Sequence, residues 1–471
     1  MQTGIGAGTT GSDRMLAGAV IAAVALAAVG AVLQSQIILL LALAGAMGAF
    51  AMAGDRIALF VLGFLYPFEG IRLYVQPDRG SLLTPLFPDG IDQTVVNVVA
   101  LVLLLLVGVR TAIALLHGRR LSLPMPFVAW VSLITLSAIV STVNAEDDGL
   151  LSLKYALYPI AFSMIAFTLL PSALAKGRDD VLALVRGMVT AGAFACAMGA
   201  VSLFLWDGGL LRARPLPMLG IAPLGWNHNL LAETLIATAP LAFALSYLGG
   251  AKERSRYRLL AAAMFAVALL TFARTAWIAA VVMTALAGWY GYRREWLGSW
   301  RRYLPTALLV IPLLAVLTLF SLTSEVRGST ASRAAMTDFS LYLFGTHPII
   351  GAGAGTFLVR LGGAKAFTDD FGSPLDAHGI VQKVLSEQGA FGILALGALL
   401  VRLFLFLRAR VRSLPEGTTD RRVLLLFAVS AFGMVIYELF NTTYWSAKLW
   451  LPVGLAVAAA AAWTGKRTPI G

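Results

Sequence analysis

Long apolar blocks constrain the fold of this chain more than any other feature. Most of them are about 16 to 25 residues long and carry few charges. As an α-helix, at about 1.5 Å per residue, a block of this length crosses the hydrocarbon core of a bilayer. The blocks lack the period-two alternation that is typical of transmembrane β-strands. The sequence therefore predicts an all-α polytopic membrane protein.

The composition excludes a soluble globular domain. Hydrophobic residues make up 59% of the 471 residues and charged residues 13%, and the mean hydropathy is +0.83, whereas soluble domains carry roughly a quarter charged residues. The single cysteine, Cys196, rules out a disulfide within the chain and a cysteine-rich metal site. The net charge of +12 comes from basic residues between the apolar blocks. We interpret them as topology signals and contacts to lipid headgroups, and we predict no nucleic-acid partner.

We predict 12 to 14 membrane-spanning helices, and the sequence is divided most simply into fourteen. The third is short for a full span and could be re-entrant. Residues 1–12 are predicted to be a disordered cytoplasmic tail, 13–322 the first group of spans and 380–464 the last group. The spans are residues 15–33, 36–53, 57–70, 93–115, 125–143, 154–170, 181–205, 229–248, 258–272, 275–291, 303–322, 380–407, 423–439 and 446–463.

The distribution of charge predicts the orientation. Connections on one side contain 21 Lys and Arg residues, and the alternate connections contain 11. Because the basic side of a membrane protein faces the cytoplasm, we predict a bacterial inner-membrane protein with both termini in the cytoplasm. Three connections on the opposite, periplasmic side are long, namely 71–92, 206–228 and the loop 323–379. This side holds the polar residues that could carry chemistry.

The loop 323–379 contains recognisable local patterns. Residues 329–344 place apolar side chains at helical spacing, which predicts a helix lying along the membrane surface with its apolar side down. The glycine-rich run 351–355 is a weak candidate for a phosphate cradle, because it lacks the lysine and the preceding strand of a P-loop. His378 follows, where the chain re-enters the membrane.

Five pieces of residues 217–392 together resemble the O-antigen ligase and polysaccharide polymerase superfamily. They are GWNHNLLA at 225–232, LTFAR at 270–274, the run 333–355, Ala377-His378 and LSEQGAFG at 385–392. Two positions depart from the family pattern. Gly379 stands where the family usually has Asn, and Ala273 where it usually has Ser. Both departures leave the adjacent candidate residue in place.

The resemblance implies transfer of a glycan from an undecaprenyl-diphosphate-linked donor to a glycan, lipid or protein acceptor. It implies an inverting glycosyltransferase with the fold of lipid-sugar-dependent membrane glycosyltransferases, with no metal and no cofactor. By motif position, Arg274 and Arg333 are the candidates for diphosphate binding. A guanidinium group stays charged and binds phosphate oxygens in pairs. Arg274 could alternatively anchor a hairpin at the headgroups, and Arg333 could be an ordinary surface charge.

His378 is the candidate general base by the same resemblance. Histidine is the commonest general base near neutral pH. Its place at a helix N-terminus disfavours the imidazolium form. The alternative is a helix cap. His347, before a proline, is expected to shape its turn.

Four further residues are candidate substrate contacts. Asn227 and Asn229 flank His228 at the start of a span, and His228 itself either contacts sugar or supports the helix start. Arg212 and Arg214 lie in a periplasmic connection and contact either an anionic donor or lipid headgroups.

Three acids lie inside predicted spans. Glu387 follows Lys383 by four residues, which predicts an ion pair within one helix. Glu233 is expected to brace the 227–229 segment, and Glu438 to face the same cavity near Asn441.

Ligase and polymerase activity remain open alternatives. A lipid-linked sugar flippase or other transporter is the main competing class, and a non-enzymatic assembly protein is a third. A transporter would carry charged residues along a path through the bilayer centre, whereas the polar groups of this chain cluster at the periplasmic edge.

Overall fold

The computed structural model describes residues 36–75, 91–118, 127–205, 212–218, 220–291 and 324–465. The predicted tail 1–12, the predicted spans 15–33 and 303–322, and the last residues of the chain lie outside this part.

The described residues are predominantly helical. The α-helices are α1 (Gln36–Ala53), α2 (Asp55–Leu65), α3 (Val95–Leu116), α4 (Val128–Ser141), α5 (Gly149–Tyr155), α6 (Ser163–Leu174), α7 (Arg178–Phe204), α8 (His228–Ser246), α9 (Ala251–Leu270), α10 (Arg274–Gly291), α11 (Ser324–Thr346), α12 (Phe357–Gly363), α13 (Lys365–Phe371), α14 (Ile380–Ser413), α15 (Thr419–Glu438) and α16 (Ala447–Thr464). Two 3₁₀ turns, Thr142–Asn144 and Glu146–Asp148, precede α5, and a π-helix, Ala156–Phe162, joins α5 to α6.

Six of the described helical segments are long and apolar enough to cross a membrane. They are Val95–Leu116, Glu146–Leu174, Arg178–Phe204, His228–Ser246, Ile380–Ser413 and Ala447–Thr464. Four further predicted spans contain helices that are shorter or more polar, namely α4, α9, α10 and α15. The chain is therefore a multi-pass helical membrane protein, and the total of fourteen spans stays a prediction.

The second and third predicted spans form a bent pair. α1 and α2 meet at Gly54 with an angle of 117° between them. Gly54 has a φ of 84°, a backbone conformation that glycine adopts without strain. α2 has 11 residues, too few to cross a bilayer alone. The pair is a broken span or a re-entrant loop, in line with the short third span in the sequence.

The bundle core surrounds α8 and α16, in each of which 83% of the apolar segment is buried. α8 packs against α7, α9 and α15, while α16 packs against α6 and α15. Glycines permit these close approaches: a Cβ at Gly199 would lie 2.9 Å from the Leu231 side chain, and one at Gly454 would lie 2.1 Å from the Phe167 carbonyl oxygen. Small residues at such crossings are typical of membrane helix packing.

A β-hairpin corrects the purely helical prediction. β1 (Arg72–Val75) pairs antiparallel with β2 (Ile91–Thr94), with Arg72 opposite Thr94. An ion pair between Arg72 and Asp92, 2.5 Å long, joins the two strands. Strands of four residues are too short for their alternation to stand out between apolar blocks, so the sequence offered no clear signal for them.

The predicted periplasmic loop 323–379 folds around a small core of its own. α11 contains the predicted helix 329–344, and its buried side chains Met336 and Leu343 pack with Phe357, Leu361 and other residues of the same loop. The prediction that this apolar side faces a membrane was therefore wrong. A helical stripe of apolar residues records that a face is buried, but not which surface buries it.

Candidate active site

The start of α14 lies against the middle of α11. Gln382 Nε2 donates a hydrogen bond to Thr337 Oγ1 at 2.8 Å, and Thr337 Oγ1 in turn donates to the Arg333 carbonyl oxygen at 2.9 Å. Gln382 lies one helical turn after His378, and Thr337 one turn after Arg333. This contact holds the two predicted site residues beside one another, although 45 residues separate them in the chain.

His378 is half-buried and precedes the first residue of α14 by two positions. Burial, together with the positive charge of Arg333, lowers the pKa of its imidazole to about 4, while Asp376 acts in the opposite direction. The ring is therefore neutral at physiological pH and free to accept a proton. The sequence argument for a neutral ring used the helix N-terminus; burial and Arg333 favour the same form. The Nδ1 atom is buried and has no hydrogen-bond partner in the described part of the chain.

Arg274 and Arg333 form a pair of like charges at this point. Burial lowers the pKa of Arg333, and so does the neighbouring charge of Arg274, although a guanidinium group remains protonated. Among the described residues, no carboxylate forms a salt bridge with either arginine. Arg333 Nε is buried and has no hydrogen-bond partner among the residues that the structure describes. A buried donor left unsatisfied costs about 1–3 kcal/mol, more when it is charged, so an anionic ligand would find strong attraction here.

The turn between α9 and α10 presents Arg274. Phe272 adopts a φ of 56°, which is strained for a residue with a side chain. The Ala273 N–H donates to Thr271 Oγ1 at 3.2 Å, and Arg274 then begins α10 with its side chain exposed. Strain at a turn that places an arginine is typical of a functional position.

The segment 212–214 is fixed at the same end of the bundle. The Ala213 N–H donates to the Leu270 carbonyl oxygen at 2.8 Å, next to the turn that carries Arg274. Arg212 and Arg333 both lie within electrostatic range of His228. Arg214 instead hydrogen-bonds to the end of α7, through its N–H to Ser202 Oγ at 2.9 Å and its guanidinium to the Leu205 carbonyl oxygen at 3.4 Å. We call Arg212, Arg274 and Arg333 the basic cluster. Arg214 contacts the end of α7, and its contact with a donor stays a prediction.

The glycine-rich run cannot act as a phosphate cradle, because its backbone donors are occupied. The seven N–H groups from Gly351 to Phe357 all donate within the protein; the acceptors are the carbonyl oxygens of His347, Ser386, Glu387 and Gly353, Ser141 Oγ and both carboxylate oxygens of Glu387. The run threads past a break in α14 at Gly389, where a Cβ would lie 2.6 Å from the Gly351 nitrogen. Its glycines serve this close approach.

A comparison with protein families shows which family the middle of the chain is similar to. Residues 259–397, which are 139 of the 471, match the family model described as O-antigen ligase. This match supports the O-antigen ligase superfamily for the matched region. The resemblance read from the sequence is thereby confirmed, and the matched region contains Arg274, Arg333 and His378. It is a family of glycan-transferring membrane enzymes, which implies a lipid-linked glycan and an acceptor as partners. No curated protein matches this chain.

The structure accounts for one departure from the O-antigen ligase pattern. Gly379 has a φ of 146°, and a Cβ there would lie 2.3 Å from the Leu439 carbonyl oxygen. Asn cannot occupy this position without moving the loop between α15 and α16. At the second departure, Ala273 is buried and its N–H is bonded to Thr271; nothing in the structure explains the absence of a hydroxyl there.

Asn227 caps α8. Its side-chain oxygen accepts the Asn229 N–H at 2.9 Å, and the Asn229 carbonyl oxygen accepts the Tyr437 hydroxyl at 2.7 Å. Asn227 therefore supports the start of the helix, and the substrate contact of Asn227 and Asn229 stays a prediction. Tyr437 was missed by sequence reasoning, since a lone tyrosine in an apolar span carries no distinctive signal.

We expect Asn227→Ala to destabilise the protein by about 1 kcal/mol, the usual cost of losing a helix N-cap. Asn227→Ser keeps a capping oxygen and should retain both the wild-type melting temperature and glycan transfer. Thermal unfolding of the purified protein and product formation at equal membrane abundance measure the two effects. Loss of transfer in Asn227→Ser at an unchanged melting temperature would instead indicate a sugar contact.

Two buried ion clusters stiffen this end of the bundle. The predicted Lys383–Glu387 pair is present at 2.9 Å, and Lys383 also binds Asp376 at 2.6 Å. Because Glu387 additionally accepts the N–H groups of Gly355 and Phe357, the cluster ties the glycine-rich run and the segment that carries His378 to α14.

The second cluster contains Glu233 and Glu438, as the sequence suggested, but it does not brace residues 227–229 directly. Thr443 Oγ1 lies 2.8 Å from a carboxylate oxygen of each acid, and Asn441 Nδ2 donates to Glu233 at 3.2 Å. Lys448, fully buried, lies 3.5 Å from Glu233. The cluster therefore fixes the connection between α15 and α16, and its lysine was not expected as a member.

Proposed function

We propose that this enzyme transfers or polymerises a glycan from an undecaprenyl-diphosphate-linked donor onto an acceptor hydroxyl at the periplasmic face of the bacterial inner membrane. The supporting observation is that Arg333 and His378 are held side by side, each with a buried nitrogen that has no partner among the described residues. A cation and a neutral imidazole in this arrangement suit an anionic leaving group and a proton to be removed. The excess of basic residues in the opposite connections supports the orientation.

The arginines bind the diphosphate. Arg274, exposed at the start of α10, and Arg333, partly buried on α11, present two guanidinium groups to one place. Each can donate two parallel hydrogen bonds to phosphate oxygens. The diphosphate relieves the repulsion between them and satisfies Arg333 Nε, and Arg212 adds a third positive charge nearby.

His378 removes the acceptor proton. The acceptor oxygen forms a bond to the anomeric carbon while the bond from that carbon to the diphosphate oxygen breaks. The proton passes to the imidazole, and the electron pair of the broken bond leaves on the diphosphate, where the arginines stabilise the developing charge. Attack from the face opposite to the departing diphosphate inverts the anomeric configuration. Ligation and polymerisation require the same attack, so the site serves either.

Donor binding and base strength are coupled in this arrangement. In the free protein the charge of Arg333 helps to keep the pKa of His378 at about 4. A bound diphosphate offsets that charge, and a nearby anion raises the pKa of an imidazole. The histidine therefore becomes a stronger base once the donor is in place.

We expect kcat/KM for transfer to stay constant from pH 8 to about pH 5 and to fall below it, because kcat/KM reports groups of the free enzyme. Only below its pKa of about 4 does the His378 imidazole become mostly protonated and lose its function as a base. An unperturbed histidine would already be half protonated at about pH 6.5. The measurement uses purified protein in proteoliposomes, with native donor and acceptor from the source strain and separation of the glycan products.

Two results would contradict the proposal. Movement of the lipid-linked donor across the bilayer with no new glycosidic bond would indicate a transporter. An acid limb of kcat/KM centred near pH 6.5 would show that the base is not the histidine of this buried, Arg333-flanked position.

A further inference from the structure

A second cavity lies beyond the segment that carries His378. Its volume is about 280 Å³, close to the lower end of the range for ligand pockets. It is lined by Glu69, Arg72, Thr94, Asn97, Tyr155 and Tyr158, together with Ser163 and the connection from Thr442 to Ser446. The basic cluster contributes no residue to it. It is thus separate from the place assigned above to the diphosphate.

Local irregularities of the backbone create this cavity. The π-helix Ala156–Phe162 contains Pro159, which has no N–H to continue an α-helical ladder. Tyr158 and Pro159 of the π-helix line the cavity. π-Helical turns within α-helices occur frequently at functional sites. The hairpin and the first turn of α3 supply Arg72, Thr94 and Asn97 to the lining, so the hairpin absent from the sequence prediction contributes to this cavity.

The lining chemistry is that of a sugar site. Tyr155, Tyr158, Tyr444 and Trp445 supply aromatic surface, against which the C–H face of a pyranose packs. Asn97, whose Nδ2 donates to the Tyr158 hydroxyl at 2.7 Å, supplies an amide that both donates and accepts. Arg72 is already paired with Asp92. With a carboxylate and a paired arginine in its lining, the cavity has no net positive charge for a phosphate.

Two buried polar atoms of the lining residues lack partners within the described ranges. Trp445 is 8% exposed and its indole Nε1–H has no acceptor, while Glu69 Oε1 has no donor. Unmade hydrogen bonds at buried positions are costly, and such exceptions in a native protein call for an explanation. Sugar hydroxyls, which donate and accept, satisfy both atoms.

The cavity is connected to the candidate active site through Tyr444. The Tyr444 hydroxyl donates to the Ala377 carbonyl oxygen at 3.5 Å, next to His378. Tyr155, on the same wall, lies under Lys383, which binds Asp376. Tyr444 and Tyr155 therefore link the lining of the cavity to the segment 376–378, which carries His378.

We propose that this cavity is a sugar-binding subsite for the acceptor glycan. The inference rests on the proposed function, because it takes the arginine side of His378 for the donor. A sugar ring stacked against Tyr158 and Trp445 positions the acceptor chain so that a hydroxyl reaches the imidazole.

The test uses the full-length protein in nanodiscs prepared without glycoside detergents. Saturation-transfer NMR with a panel of methyl glycosides measures sugar binding without turnover. Trp445→Phe removes the indole N–H and keeps an aromatic ring, and Asn97→Ala provides a second variant should the first misfold. Trp463→Phe is the matched control, because Trp463 is also buried with an unpartnered Nε1 but is not in the lining of this cavity.

We expect the wild type and Trp463→Phe to bind at least one glycoside, and both cavity variants to bind it about tenfold more weakly, as for one lost hydrogen bond. In the transfer assay the variants should raise the acceptor KM about tenfold and leave the donor KM unchanged. Binding by none of the glycosides, equal binding in folded Trp445→Phe and Asn97→Ala, or a rise in the donor KM instead would overturn the assignment. If the wild type formed no glycosidic bond, the proposed function would fail, while the NMR measurement would still decide whether the cavity binds sugar.

Discussion

Replacing His378 by alanine should reduce glycan transfer by about 10² to 10⁴-fold, the usual loss when a positioned general base is removed. The imidazole lies near Arg333 at the start of α14, and no other described histidine lies next to Arg333 at this helix start. Donor binding should persist, because the arginines that bind the diphosphate remain. The assay compares glycan products of a strain lacking the native gene, complemented with each variant at equal membrane abundance.

Two histidines that hydrogen-bond away from the candidate active site provide matched controls. His347 Nδ1 hydrogen-bonds the neighbouring Thr346 hydroxyl at 3.0 Å, and His117 Nδ1 lies 2.7 Å from the Ile113 carbonyl oxygen at the end of α3. His347→Ala and His117→Ala should therefore be mild. Wild-type product from His378→Ala would remove the catalytic assignment and favour the transporter reading.

Arg333→Lys should lower transfer by about 10² to 10³-fold, the range for losing one preorganised group that stabilises charge on a leaving or attacking oxygen. Lysine retains the positive charge, but it has no planar fork and nothing at the position of Nε. The buried, unpartnered Arg333 Nε makes this difference large. Arg274→Lys should have a smaller effect in the same direction, because its exposed side chain is screened by solvent.

Arg360→Lys is the control for arginine chemistry in the same loop. Arg360 donates to the Asn144 carbonyl oxygen at 2.8 Å and lies 3.5 Å from Glu146. Neither contact involves His378 or the basic cluster. Its replacement should leave transfer close to wild type. Near-normal activity in both Arg274→Lys and Arg333→Ala would remove the diphosphate-binding role, and a donor-binding measurement separates that outcome from a purely catalytic effect.

Residue type and motif position made His378, Arg274 and Arg333 the candidates for the site. A histidine and two arginines are recognisable because few other side chains supply a neutral base or a fixed cation fork. Motif position did not show how the roles of Arg212 and Arg214 differ, or whether Asn227 caps a helix or binds sugar. In the structure, Arg214 hydrogen-bonds to the end of α7 and Asn227 caps the start of α8. These contacts depend on how the connection between the two helices folds.

Interactions along one helix were predictable, and those between distant elements were not. The Lys383–Glu387 ion pair follows from the helical period, which places residues four apart on one face. The third member of that cluster, Asp376, and the partner acids of Lys448 come from other segments. The bend at Gly54, the hairpin of β1 and β2 and the cavity beside the π-helix likewise arise where elements meet.

By itself the sequence determined that this chain is a multi-pass helical membrane protein with O-antigen ligase motifs, because block length, charge bias and motif order are local properties. The tertiary structure decided which of the candidate residues share a site. The contact between Gln382 and Thr337 places His378 beside Arg333, and the packing of the loop core turns the apolar side of α11 inward. The physical reason is that apolar periodicity shows that a helix face must be buried, whereas the identity of its partner depends on shape and hydrogen-bond complementarity between segments far apart in the chain.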